Sequence, residues 1–107
     1  MNNERRADAR VILNLTVKWD ALSGASSARI EDLSMGGCFV NTSGSVVNVG
    51  ELVNLAIQLP AGDWLQLRGE VTSIQPAIGF GMSFPFLTDE EERSLRLLIS
   101  NYLEDAK

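Results

Sequence analysis

Histidine is absent from the 107-residue chain, and cysteine occurs once, at Cys38. These two scarcities exclude His-based triads, Cys–His pairs and almost every zinc or haem site, so neither a metal nor a cofactor is expected. One cysteine cannot form an internal disulfide, which fits a reducing cytosol. No apolar run approaches the ~20 residues of a membrane span. The start, Met1-Asn2-Asn3-Glu4-Arg5-Arg6, leads into no signal-peptide stretch. A soluble cytoplasmic protein without membrane insertion is the expectation. Positive charge is also scarce: 9 Lys and Arg stand against 14 Asp and Glu, a net charge of −5. General binding of DNA or RNA rests on neutralising many phosphates, and this balance disfavours it.

What remains is ordinary globular material, 45% hydrophobic and 21% charged, enough for one domain that buries roughly two-thirds of its unfolded surface. No repeat or linker interrupts it. The charge is uneven. Residues 1–37 balance Arg5, Arg6, Arg10, Lys18 and Arg29 against Glu4, Asp8, Asp20, Glu31 and Asp32, so residues 38–107 hold the whole net charge. Three arginines between positions 5 and 10 can build a local anion site or simply mark a solvated terminus.

Period-two alternation governs most of the chain. Val11, Leu13, Leu15, Val17 and Trp19 share one face of a first strand, and Asp20–Gly24 carries turn chemistry. Ala25–Glu31 reads as a second strand and Cys38–Asn41 as a third, with 32–37 as the bend between them. Gly50–Leu59 forms a fourth, Trp64–Ile74 a fifth with a bulge expected at Gly69, and Ile78–Phe84 a sixth. In the sixth, Phe80, Met82 and Phe84 share a face, while Gly79 and Gly81 suggest close backbone approach on the other. The period then changes. Thr88 and Glu91 form a T-x-x-E capping box, Asp89–Glu92 suit the positive end of a helix dipole, and Leu95, Leu98, Ile99, Tyr102 and Leu103 make one stripe. The pattern predicts a mainly β fold: a six-stranded antiparallel β-barrel with one C-terminal α-helix over about 88–103.

Two short motifs stand at the edges of the first strands. Arg6-Ala7-Asp8-Ala9-Arg10 is R-x-x-x-R, and Asp32-Leu33-Ser34-Met35-Gly36-Gly37 is D-x-S-x-x-G. In this order, one hairpin apart, and with the Gly79–Phe84 segment and terminal helix, the chain resembles the PilZ domain family of bacterial cyclic di-GMP receptors. That resemblance implies a six-stranded barrel with a C-terminal helix over 11–107, preceded by an arm over 1–10. It implies a nucleotide-binding, second-messenger signalling module without catalysis. Arg6 and Arg10 then contact guanine edges and phosphates, and Arg5 extends the pattern in a way compatible with a stacked ligand dimer. Asp32 and Ser34 meet guanine, and Gly37 closes the motif.

The residue chemistry agrees with those roles. Cyclic di-GMP offers phosphates and guanine O6/N7 edges, and the guanidinium fork answers both. A carboxylate accepts from guanine N1 and N2, and a hydroxyl adapts. Gly36 and Gly37 are expected to allow positive φ and close approach to a flat ligand. Alternatives stand beside each reading: Asp32 and Ser34 can form an Asx-turn, and Arg6 can pair with Glu4 or Asp8 on the surface. Trp19 and Trp64 read as core residues and Cys38 as a small buried hydrophobe. No aromatic platform for stacking is defined by motif. Ser34 has no His or Lys base within the motif, so no enzyme is expected. Lys18, Arg29 and Arg68 are too few cations for a single-strand-binding barrel.

A receptor of this kind acts on an unidentified downstream protein. The alternative is a PilZ-like adaptor that binds no nucleotide. The arm over 1–10 is expected to be flexible without ligand and to order when ligand binds.

Overall fold

The computed structural model describes residues 10–43 and 47–105. Among them, six strands form a closed barrel: β1 (Val11–Ala21), β2 (Gly24–Ser34), β3 (Gly37–Asn41), β4 (Leu52–Gln58), β5 (Trp64–Gln75) and β6 (Gly79–Ser83). One helix, α1 (Asp89–Asp105), follows. Around the barrel the order is β1-β2-β3-β6-β5-β4, every neighbour antiparallel, and β4 returns to β1 through Val17↔Ile57 to Ala21↔Val53. The expected arm lies outside the described residues except for Arg10, which is exposed.

Alternation does what the sequence predicts. Val11, Leu13, Val17 and Trp19 are buried while Ile12, Asn14, Lys18 and Asp20 face solvent. Val53, Leu55 and Ile57 of β4 and Leu65, Leu67 and Val71 of β5 join them in one core with Ile30, Leu33, Val40, Phe80 and Met82. Trp19 meets Phe80 edge to face, with centroids 5.4 Å apart at 80°, a geometry worth about 1 kcal/mol beyond burial alone. Cys38 is buried as expected. The capping box forms in both directions: Glu91 N donates to Thr88 Oγ1 at 3.1 Å, and Thr88 N to Glu91 Oε1 at 2.9 Å. Leu95, Leu98 and Ile99 turn inward and extend the core, where α1 lies against β1 and β5. Burial of each stabilises the helix by about 2 kcal/mol. No helix among the described residues is long and apolar enough to cross a membrane.

Three expectations need correction. Trp64 is not a core residue. It is 37% exposed with Lys18 Nζ 4.8 Å from its ring centroid, because it precedes inward-facing Leu65 and alternation turns it out. The bulge in β5 is not at Gly69, which pairs with Val53 in unbroken register. It falls between Val71 and Ser73, where the pairing with β6 shifts. Finally, the bend between β2 and β3 is only Met35–Gly36, since β2 runs through Ser34 and β3 starts at Gly37. The longer strands arise because cross-strand pairing carries polar residues that alternation alone leaves undecided. Asp20, for example, is held in β1 by Asn54 Nδ2 donating to its Oδ1 at 3.0 Å.

At the opposite end of the first hairpin, the Glu51 carboxylate receives three bonds: Ser23 N at 2.8 Å, Ser23 Oγ at 2.6 Å and Asn48 N at 2.9 Å. The Ser23 hydroxyl, first among these donors, holds its carboxyl below the ordinary range. A carboxyl lowered in the fold stabilises above its unfolded pKa, and this contribution fades as pH falls through the folded value. Urea unfolding from neutral pH down to about pH 3 should therefore show Glu51→Gln losing less stability on acidification than the wild type does.

The β5–β6 turn yields a second prediction. Pro76 and Ala77 form its centre, Ile78 N donates to Gln75 O at 3.0 Å, and Ala77 has φ 68°. Pro followed by positive φ is type II turn geometry, for which glycine is the unstrained residue. Relief of the left-handed strain, offset by the freer unfolded chain, should let Ala77→Gly stabilise the protein by up to about 1 kcal/mol. A raised urea midpoint at unchanged slope is the expected readout.

Candidate functional site

Arg10, the last residue of R-x-x-x-R, meets the D-x-S-x-x-G residues where β1 begins and β2 turns into β3. Pairing of Val11 with Leu33 and Ile12 with Asp32 brings the residue before β1 alongside the end of β2. Arg10 Nη1 lies 3.2 Å from Asp32 Oδ1, with the Arg10 side chain 55% and the Asp32 side chain 28% exposed. The same Oδ1 accepts from Phe39 N at 3.0 Å. That bond crosses the hairpin, so Asp32 is no local Asx-turn; it ties β2 to β3 and holds its carboxylate at the surface. A register shift between Ile30 and Asp32 sets this direction. Ile30 and Leu33 both point inward although three positions apart, so Glu31 and Asp32 together occupy the outer face.

Ser34 is used differently. It is buried, its Oγ donates to Gly37 O at 3.3 Å, and it accepts from Gly36 N at 3.2 Å. The hydroxyl thus clasps the Met35–Gly36 turn. The expected positive φ at Gly36 and Gly37 is not found; among the described residues the glycines with positive φ are Gly50 and Gly62. Gly37 is instead required by proximity, since a Cβ there would collide with the Met82 carbonyl of β6. Any side chain at 37 would push β3 from β6 beneath the motif.

Arg10, Asp32, Ser34, Gly36 and Gly37 line one concavity of about 550 Å³. Its opposite wall comes from Thr72, Ser73 and Gln75 of β5, and its middle from Phe39 and Gly81. The motif reading did not include these five. The signal for β5 was present: the inward series Leu65, Leu67, Gly69, Val71 breaks at polar Ser73, which is what a bulge does. Phe39 carried no motif, and only the pairing Asp32↔Phe39↔Gly81 brings it into the site. Arg5 and Arg6 lie outside the described residues.

The surroundings set the chemistry. Burial pushes the Cys38 thiol far above its ordinary range, the Asp32 charge adds to this and Arg10 opposes it, so the thiol beneath the site is protonated and inert. Among the described residues no group of three or more His, Cys, Asp or Glu converges to hold a metal. A larger concavity, about 780 Å³, lies on the β1–β2–β4–β5 surface between Lys18, Asp20, Asn54 and Arg68. It contains none of the motif residues, and its Asp20 is bonded to Asn54. The smaller one brings together an exposed guanidinium and a partly exposed carboxylate, which suits a ligand carrying both donors and anionic groups.

Comparison with known proteins places this architecture. The Bacillus subtilis inhibitor of motility (MotI/DgrA) superposes with a TM-score of 0.79 at 17% identity, over 96% of this chain and 53% of that one. The chain thus spans about half the length of that protein. The PilZ domain of CeSA from a cellulose-synthesising bacterium superposes with a TM-score of 0.70 at 23% identity, over 87% of this chain and 97% of that one. At such identities these likenesses speak for the fold alone. Comparison with curated proteins gives no match. The sequence model of the PilZ domain, however, matches residues 4–101, a span that takes in all six strands, both motifs and most of the helix, and the chain belongs to the PilZ domain family.

Proposed function

We propose that this domain is a receptor for cyclic di-GMP, the ligand typical of its family, and that it passes the signal to a separate protein. One observation carries the reading: Arg10, the last residue of R-x-x-x-R, and the D-x-S-x-x-G residues that begin 22 positions later at Asp32 line one concavity, with the Arg10 and Asp32 charged groups 3.2 Å apart. The Arg10–Asp32 pair is partly exposed, and such pairs contribute only about 0–1 kcal/mol. A ligand can therefore break it at little cost. Guanine N1 and N2 donate to Asp32, while the released Arg10 fork turns to phosphate or to the O6/N7 edge. Ser34 contributes by fixing the turn that holds Gly36 and Gly37 against the ligand. Arg5 and Arg6, from the segment before β1, add positive charge over the phosphates.

The signal in this reading is the closing of residues 1–10 over the ligand. Fixing ten residues costs on the order of 10 kcal/mol, so several charge-assisted bonds are needed and one arginine does not suffice. The closed arm presents a new surface to the downstream protein. PilZ domains generally act as non-catalytic receptor modules. The fold is shared with a motility inhibitor and with a domain of a cellulose-synthesising bacterium's protein, so the barrel alone does not choose the output.

Isothermal titration at physiological salt tests the proposal. The wild type should bind cyclic di-GMP. Arg10→Ala and Arg6→Ala should each weaken binding by about 1–3 kcal/mol, and Arg10→Lys should recover only part of the loss because an ammonium lacks the planar fork. Arg10 is exposed, so its variants should unfold at the wild-type temperature. No heat and no NMR shift at millimolar ligand would overturn the receptor and favour the adaptor that binds no nucleotide. Hydrogen exchange at residues 4–10 should slow on ligand addition; equal exchange in both states would remove the arm mechanism.

A further inference from the structure

β2 outruns its neighbour. Residues 24–28 pair with β1, but β3 pairs only with β2 from Arg29 to Ser34, so residues 24–28 carry no strand on their other side among the described residues. Closing a barrel covers strand edges only where neighbours overlap, and this stretch projects past the overlap. Ala25, Ser26 and Ser27 are exposed.

The hydrogen bonds fix what that edge offers. Val71 N donates to Glu51 O at 2.9 Å, and Val71 O accepts from Gly50 N at 2.8 Å, so the Val71 backbone turns toward the β4 side. In antiparallel strands successive residues alternate in this respect. Gly69, Leu67 and Leu65 therefore bond Val53, Leu55 and Ile57 of β4, which leaves Asn54 and Ala56 to bond Asp20 and Lys18 of β1. Asp20 and Lys18 then have no backbone group left for β2. Their partners there, Ala25 and Ser27, turn N–H and C=O away from β1 into solvent. The Ser27 carbonyl accepts from Ser26 Oγ at 3.0 Å, an exposed local bond where a strand would otherwise stand. Arg29, next in the series, meets Asn41 of β3.

Unpaired edges usually carry a proline, a charge or a bulge that keeps other chains off. Residues 24–28 are Gly-Ala-Ser-Ser-Ala, and their register with β1 is unbroken. There is also room: Ser27, Ala28 and Arg29 line a concavity of about 420 Å³ with Asn41 and Thr42, where β3 ends. Arg29 Nη1 donates to Asn14 Oδ1 at 3.0 Å and meets no carboxylate among the described residues.

We infer that this edge docks an extended segment of a partner protein, which adds a strand to β2 in line with β3. In such strand addition the main chain supplies affinity and alternate side chains supply specificity. Segment residues facing Ala25 and Ser27 point outward, and a carboxylate facing Ser27 lies within diagonal reach of Arg29. The residue facing Ser26 points to the core side, where Ser26 stands opposite buried Trp19, and it is apolar. A second copy does not fit. Pairing its Ala25 and Ser27 with Ser27 and Ala25 here would carry its Ser23 onto the place that Asn41 holds beside Arg29. The surface serves a nucleotide receptor and an adaptor alike, so it stands whether or not cyclic di-GMP binds.

The probe is the capped peptide acetyl-Val-Glu-Val-Thr-Val-Ser-amide, added to the full chain without nucleotide. In NMR spectra the backbone amides of Ala25 and Ser27 should shift progressively with peptide and exchange more slowly. The same peptide N-methylated at Glu and Thr should leave them unmoved, because it lacks the donors that face β2. Ser27→Pro should also abolish the shifts while keeping the fold, since proline is tolerated where the N–H faces away from the sheet; should thermal unfolding show that it does not fold, the N-methylated peptide decides alone. Unmoved Ala25 and Ser27 amides at millimolar peptide, or equal shifts with the N-methylated one, would overturn the docking site. Sedimentation showing a dimer, with those two amides shifting as protein concentration rises, would put a second copy there and overturn the partner.

Discussion

Closure of the barrel is the constraint on which everything else depends. β1 pairs along one side with β2 and, over Val17–Ala21, along the other with β4. That second pairing removes the two edges an open sheet would present to other chains. It also encloses a small interior packed with Trp19, Phe80, Ile30, Leu55 and Leu67, with Leu95, Leu98 and Ile99 of the helix extending the same core. The motif concavity and the larger one between Lys18 and Arg68 open on the surface of the barrel.

An outer face made of regular strands is a poor place to gather polar groups, because half of each strand is committed to the core. Irregularities solve this. Register shifts occur in β1 between Ile12 and Leu15, in β2 between Ile30 and Asp32, and in β5 between Val71 and Ser73. Two of them flank the concavity directly and turn consecutive polar residues outward, Glu31 with Asp32 and Thr72 with Ser73. Glycines complete the arrangement. Gly37 lets β3 pass close to the Met82 carbonyl, and Gly81 leaves the space over which the Ser73 hydroxyl lies. The site is thus a set of local departures from strand geometry, held in place by a core that tolerates none.

Electrostatics follow the same division. The chain is acidic overall, yet at the concavity the Arg10 guanidinium sits against the Asp32 carboxylate, so the pair is locally balanced. Beneath it the low dielectric of the core keeps Cys38 neutral. At the far end of β1, Glu51 gathers the Ser23 and Asn48 donors and closes the other end of the first hairpin. Asp32 Oδ1 is met by one guanidinium and one backbone amide, whereas the Glu51 carboxylate is held by three donors. The difference is in how many bonds each already holds.

Much of this was legible in the sequence. Period-two apolar patterns such as Val11, Leu13, Val17, Trp19 specify strands and their inner faces because burial is enforced residue by residue. The Thr88–Glu91 capping box specifies a helix start because its bonds are local. The spacing of R-x-x-x-R and D-x-S-x-x-G marks the motif residues for the same reason: each is a short pattern. What only the tertiary structure decided is non-local. Trp64 faces out, β5 bulges at residue 72 instead of 69, the Ser34 hydroxyl is occupied by its own turn, and Phe39, Gly81, Thr72, Ser73 and Gln75 line the site. Each depends on which residue of a distant strand stands opposite. That register is fixed by closing six strands on one core, and no window of the sequence contains both partners.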